Sequence, residues 1–196
     1  MTDRFLRHLP IGERPAFSAE GMPGWEIFPF EGELTVKVLG EPKLPEPPRN
    51  GAAGRPCFIC QDPGAQRIWA DEHWLVRHAG GPTAVPVTVL LSPIEHHDLG
   101  DLPAARAAEI GPLMQRIERA IEALGGIGRV HQAKWGDGAE HLHLWFFGRP
   151  AGMMQLRGSC LTIWDDVLPK QDEAAWRTVL SELAANLAAE GGTAYV

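Results

Sequence analysis

Two short stretches carry residues whose types and spacing suit chemistry. Cys57-Phe58-Ile59-Cys60 places two thiols two residues apart. Glu140-His141-Leu142-His143-Leu144-Trp145-Phe146-Phe147 alternates imidazoles with apolar residues and runs into an aromatic end. Thiolates at the first spacing wrap one tetrahedral metal ion when two more ligands arrive from elsewhere; His141 is available, with His96 or His97. The same pair also reads as two small buried hydrophobes, or as a redox pair, although no thioredoxin-like context surrounds it. In an extended strand, His141, His143 and Trp145 share one face, while Leu142, Leu144 and Phe146 share the other, a core face. Two imidazoles side by side fit a metal pair, a metal ligand beside a catalyst, or plain surface residues. Gly136, Gly138 and Ala139 just upstream leave backbone N–H groups open to an anion such as phosphate.

The elements that must position these residues follow from periodicity. Trp25–Phe30 and Glu33–Leu39 are expected as short strands, the second alternating Leu34, Val36 and Val38 against Thr35 and Lys37. Five prolines between residues 40 and 56 mark an extended linker. The expected division is an extension over residues 1–50 and a main domain over 51–196. Arg67–His78 reads as strand, turn, strand, with the turn near Asp71 and Glu72. Ala84–Ser92 is an apolar strand. Asp101 is the expected cap of a helix whose apolar residues recur from Ile110 to Leu124, with Gly111-Pro112 expected to kink or divide it. Arg129–Trp135 is a strand, and Gly136-Asp137-Gly138 is a tight turn into the histidine strand. Residues 151–169 read as loop, with Trp164-Asp165-Asp166 closing over the core. Residues 172–190 form a second amphipathic helix.

Composition narrows the class. The chain has 196 residues, 44% hydrophobic and 22% charged, with a net charge of −7. That balance argues against non-specific nucleic-acid binding and against anionic membranes. No run approaches the length of a membrane span, and the first residues lack a signal-peptide core. Three cysteines do not make a disulfide framework, so a cytoplasmic protein is expected.

Taken in order, Cys57-x-x-Cys60, the turn at Asp71-Glu72, Ser92-Pro93-Ile94-Glu95-His96, Asp101-Leu102 and His141-Leu142-His143 resemble the histidine triad (HIT) superfamily. They look like a zinc-carrying member related to the galactose-1-phosphate uridylyltransferase branch. The resemblance covers about residues 57–150. It implies an α+β fold: a mainly antiparallel sheet with packed helices, here with an N-terminal extension and a C-terminal helix. It implies a nucleotide or nucleotide-conjugate substrate, attacked at its α-phosphorus by His143 through a nucleotidyl-histidine, in a hydrolase or a nucleotidyl transferase. It implies structural zinc on Cys57, Cys60, His96 and His141, with His97 the alternative to His96. Substrate contacts are expected from Gly138, Trp145, Arg149, Gln155 and Arg157, and a homodimer is one assembly the resemblance allows.

Three departures stand out. Trp145 occupies the place of the third histidine in the family's His-x-His-x-His motif, and tryptophan has one N–H donor and no acceptor. His131 and Gln132 stand where many members carry an asparagine near the phosphate. Arg77-His78 stand where an acid often holds the ribose. These differences fit a transferase, an unusual substrate or lost activity. The second reading is therefore a catalytically weakened, zinc-stabilised protein that binds a nucleotide or a partner.

Overall fold

The computed structural model describes residues 12–14, 24–38 and 40–196. The chain divides into two compact units, Met1–Pro47 and Pro48–Val196. In the first unit the described residues contain no strand. Trp25–Phe30 instead forms a turn, closed by Phe28 N–H on Trp25 O at 2.9 Å, with Phe28 and Phe30 ring to ring at 5.6 Å. Residues 33–38 join no ladder among the described residues, and Leu39 lies outside them. Both expected strands are corrected for one reason: alternation makes a strand only where a second strand completes the ladder, and Pro29 also removes a donor.

The second unit is an α+β fold. Its sheet has six strands in the order β4-β5-β3-β2-β1-β6. They are β1 (Arg67–Ala70), β2 (Trp74–His78), β3 (Val87–Pro93), β4 (Ile127–Ala133), β5 (Leu144–Pro150) and β6 (Thr193–Ala194). All five neighbouring pairs are antiparallel. The helices are α1 (Phe58–Gln61), α2 (Ala104–Glu122), α3 (Leu161–Val167) and α4 (Glu173–Ala188). Apolar residues at helical spacing make α2 and α4 cover one sheet face: Leu113, Ile117 and Ile121 meet Trp176, Leu180 and Leu183 over Val76, Val89, Leu91 and Phe146. Asp172 caps α4 by accepting from the N–H groups of Ala174 and Ala175. A smaller cluster of Val85, Phe147 and Leu161, flanked by Ala133 and Trp145, occupies the other face.

Local differences from the sequence reading have physical causes. β3 starts at Val87, because Ala84 and Val85 give their N–H groups to Asp165 Oδ1 and Pro86 has none to give. The cap near residue 101 belongs to Asp98, whose carboxylate accepts from Leu99 N at the head of a 3-10 turn; α2 begins only after Pro103. α2 runs unbroken past Pro112. Ala108, whose carbonyl Pro112 leaves without its helical donor, is exposed, so water can take that role. Residues 151–169 are not loop: two 3-10 turns lead into α3, which carries Trp164, Asp165 and Asp166.

Candidate metal centre and the histidine beside it

The thiols sit on a one-turn knuckle. Gln61 N–H bonds Cys57 O at 2.9 Å, so Cys57 and Cys60 stand on one side of α1. Asn50 starts this turn by accepting from Phe58 N at 3.1 Å and donating to Pro56 O at 3.1 Å. His96 follows the end of β3, and His141 precedes β5. The intervening chain is laid alongside by Leu142 N–H on His97 O at 2.7 Å. Ligand atoms of Cys57, Cys60, His96 and His141 lie within 4.8 Å of one another, the only such His/Cys/Asp/Glu group among the described residues.

The geometry fits a tetrahedral ion. Cys57 Sγ is 3.4 Å and Cys60 Sγ 3.5 Å from His141 Nδ1, and Cys60 Sγ is 3.4 Å from His96 Nδ1. A zinc–sulfur bond of about 2.3 Å and a zinc–nitrogen bond of about 2.0 Å make a tetrahedral S···N edge of about 3.5 Å. Tautomer logic agrees. His141 Nε2 lies 2.8 Å from Pro93 O, so Nε2 carries the proton and Nδ1 turns its lone pair toward both thiols. Burial lowers the pKa of His141, which is 0% exposed, and so favours the neutral ring a ligand needs. Burial, then hydrogen bonding and charge at Cys57, push the Cys60 thiol up to about 11. Two thiolates this close need a cation to share. The donors are those zinc favours, and four protein ligands make a closed, structural site.

Three neighbours complete the centre. Gly51 has φ +82°, and a Cβ there would lie 2.6 Å from His96 Cε1 and 3.1 Å from Cys57 Cβ. Only glycine lets the chain pass so close beneath a ligand. His96 Nε2 is buried without a hydrogen bond among the described residues, 3.7 Å from Glu140 Oε2. His97, the alternative to His96, turns instead to Glu95 at 3.3 Å. Sequence reasoning passed over Gly51, although Asn50-Gly51 just ahead of the cysteines is a turn signal.

His143 is half-buried, two residues from His141. Its Nδ1 is 2.8 Å from His141 O, which places the proton on Nδ1 and leaves Nε2 with a lone pair. A narrow crevice joins it to Asp98, Lys134, Trp135, Gly136 and Ala139. Residues 140–143 are not in the sheet ladder, which begins at Leu144. The chain nonetheless alternates as expected: Leu142, Leu144 and Phe146 enter the main core, and Trp145 joins the opposite cluster. The Trp145 ring is 6.3 Å from the His143 ring and stacks on Phe147 at 5.8 Å, with Trp135 5.9 Å from each. Beyond these rings lies a cavity of about 410 Å³ whose wall includes Thr88, Thr162 and Asp166.

The other expected contact residues lie elsewhere. Gly138 bonds Asn50 through its carbonyl, in the loop ahead of His141. Arg149 is buried at the far end of β5, about 20 Å along the chain from His143 at strand rise. Its guanidinium donates to the carbonyls of Pro150 and Met153. Gln155 and Arg157 are exposed in and beside the 3-10 turns after β5. Of the departures noted in the sequence, Arg77 is buried against Ala65 O and Gln66, and His78 packs edge-on to Trp176 at 4.9 Å.

No protein-family profile and no curated protein matches the chain. Solved structures do. A hypothetical histidine triad nucleotide-binding protein from Sulfolobus tokodaii is similar at a TM-score of 0.52 and 13% identity, over 67% of this chain and 91% of that one. A histidine triad protein from Bradyrhizobium japonicum is similar at 0.50 and 19%, over 62% and 89%. A zinc-bound histidine triad family protein from Mycobacterium smegmatis gives 0.47 and 25%, over 68% and 93%. The first two likenesses show that the second unit has the histidine triad fold. No helix among the described residues is long and apolar enough to cross a membrane.

Proposed function

We propose that this chain is a zinc-stabilised, HIT-like nucleotide hydrolase or nucleotidyl transferase with His143 as its nucleophile. The observation that carries the reading is the tautomer at His143: a proton tied to His141 O and a free Nε2, on the residue next but one to a metal ligand. Zinc on Cys57, Cys60, His96 and His141 would fix the chain two residues ahead of that ring. The Nε2 lone pair attacks the α-phosphorus, a P–N bond forms, and the P–O bond to the leaving group breaks with its electron pair on oxygen. Water or an acceptor hydroxyl then attacks the phosphorus and gives up its proton to solvent. The P–N bond breaks and neutral His143 returns.

Trp145 shapes the choice of substrate. It cannot protonate a leaving group, so the chemistry suits groups that leave as stable anions, such as phosphate esters. The cavity bounded by Trp145, Trp135 and Phe147 supports a base or sugar lying against the rings, with Trp145 as a substrate contact; Gly138 does not line it. Trp145 Nε1–H is buried and has no acceptor among the described residues. Arg149, Gln155 and Arg157 are not needed in this arrangement. Acceptor sugar phosphates added to the assay test for transfer of the kind found in the galactose-1-phosphate uridylyltransferase branch.

The test is product formation from nucleoside diphosphate conjugates of adenine and uridine. Wild type is expected to turn over at least one, and His143→Ala to lose about 1000-fold or more in kcat. Equal rates for the two proteins refute the mechanism. Trp145 also supports the second reading, a binding protein without turnover. Calorimetric nucleotide binding with no product from any substrate selects that reading.

A further inference from the structure

Arg49 makes more contacts than a surface ion pair needs. Its Nη1 donates to Asp98 Oδ2 at 2.7 Å and to Gly136 O at 3.2 Å, and its Nη2 to Glu140 Oε1 at 3.4 Å. Lys134 adds a second cation 3.4 Å from Asp98 Oδ1. The next residue continues the join on its backbone: Asn50 N–H bonds Gly138 O at 3.0 Å, and Glu140 N–H bonds Asn50 O at 2.9 Å. The Asn50 side chain begins the cysteine knuckle, and Gly51 lies beneath His96. Residues 49–51 therefore touch both the loop that leads to His143 and the metal cluster. Glu140 closes the circuit, with Oε1 toward Arg49 and Oε2 3.7 Å from the unbonded His96 Nε2. A histidine that binds metal through Nδ1 gains basicity and a fixed ring when a carboxylate accepts from Nε2.

We propose that Arg49 is a positioning residue: its guanidinium holds the Gly136–Glu140 loop beside His143 and, through Glu140, ties that loop to the metal ligand His96. The planar fork explains the residue type. One guanidinium spans a carboxylate, a carbonyl and a second carboxylate at once, whereas a lysine ammonium is a point charge. An exposed ion pair alone contributes little to stability, so the weight falls on the shared geometry. The consequence for catalysis rests on the reading of His143 above; the consequence for the loop and the metal does not.

The experiment uses the full, zinc-loaded chain with Arg49→Lys, Arg49→Gln, Glu140→Gln and the Gln/Gln double variant. Amide hydrogen exchange at Asn50 and Glu140 is expected to quicken about tenfold or more in Arg49→Gln and less in Arg49→Lys, while β2 and β3 keep their protection. Zinc affinity, read by competition with a chromophoric chelator, is expected to fall roughly 10-fold in each Gln variant. The double variant is expected to match the weaker single one, because both act along one path. Unchanged exchange and zinc affinity in Arg49→Gln overturn the proposal, as does full additivity of the two substitutions. If Arg49→Gln does not fold, Arg49→Lys and Glu140→Gln carry the same two readouts. With turnover in hand, Arg49→Gln lowers kcat more than it raises KM. An inactive wild type refutes the nucleophile reading and leaves exchange and zinc to decide Arg49.

Discussion

Replacing Gly51 with alanine separates backbone strain from contact with the metal centre. The added methyl would stand 2.6 Å from His96 Cε1, where carbon atoms ordinarily rest about 3.5–4.0 Å apart. His96 must therefore move by about 1 Å, against a tolerance of about 0.2 Å in a metal–ligand bond. The backbone adds its own cost, since φ +82° in a non-glycine residue disfavours the fold by about 1–2 kcal/mol. Gly54 supplies the control: its φ is +75° and its Cβ would meet nothing within 4 Å. Both alanine variants are expected to lower Tm by roughly 2–8 °C. Only Gly51→Ala is expected to lose zinc affinity, by tenfold or more, which corresponds to about 1.4 kcal/mol. Chelator competition and paired melts with and without chelator measure this. If Gly51→Ala binds zinc as tightly as Gly54→Ala, the placement of His96 over residue 51 is wrong.

Three further outcomes follow from the same physics. The metal-free chain is expected to lose stability as pH rises from about 9 through 11, because Cys60 resists ionisation when folded and its raised pKa of about 11 lies above the ordinary 9.0; melts with zinc bound should not show this loss. Burial alone would raise the Asp98 carboxyl, but Arg49, Leu99 N–H and Lys134 outweigh it and hold it below the ordinary carboxylate range. Its contribution is therefore present above that range and lost as pH falls through the lowered value, so Asp98→Asn should flatten the acid limb of the stability curve. Trp176→Ala, which empties a site only 2% exposed, should cost about 3–5 kcal/mol and lower Tm by roughly 10 °C or more in a denaturation series.

Much of this could be read from residue order, and what could not has a common cause. Alternation in Leu142–Phe147 correctly placed the core side of the histidine segment although no ladder forms before Leu144, because any extended chain turns successive side chains to opposite faces. α4 showed itself by its apolar spacing. Cys57, Cys60, His96 and His141 were nameable from type and order, and the choice of His96 over His97 needed the fold. The N-terminal strands failed because pairing is a non-local property. α3 escaped because seven residues give too little periodicity to recognise. Arg49 and Glu140 are 91 positions apart, and nothing in either neighbourhood announces their contact.

The nucleophile is tested most directly by trapping the intermediate. Zinc-loaded protein is mixed with an α-³²P-labelled nucleoside diphosphate conjugate, quenched in alkali, and mapped by proteolysis and mass spectrometry. The proposed function predicts label on His143, stable in alkali and lost in acid, with none on His143→Ala that still holds its zinc. Product released by His143→Ala at the wild-type rate, or label on another residue, would contradict it.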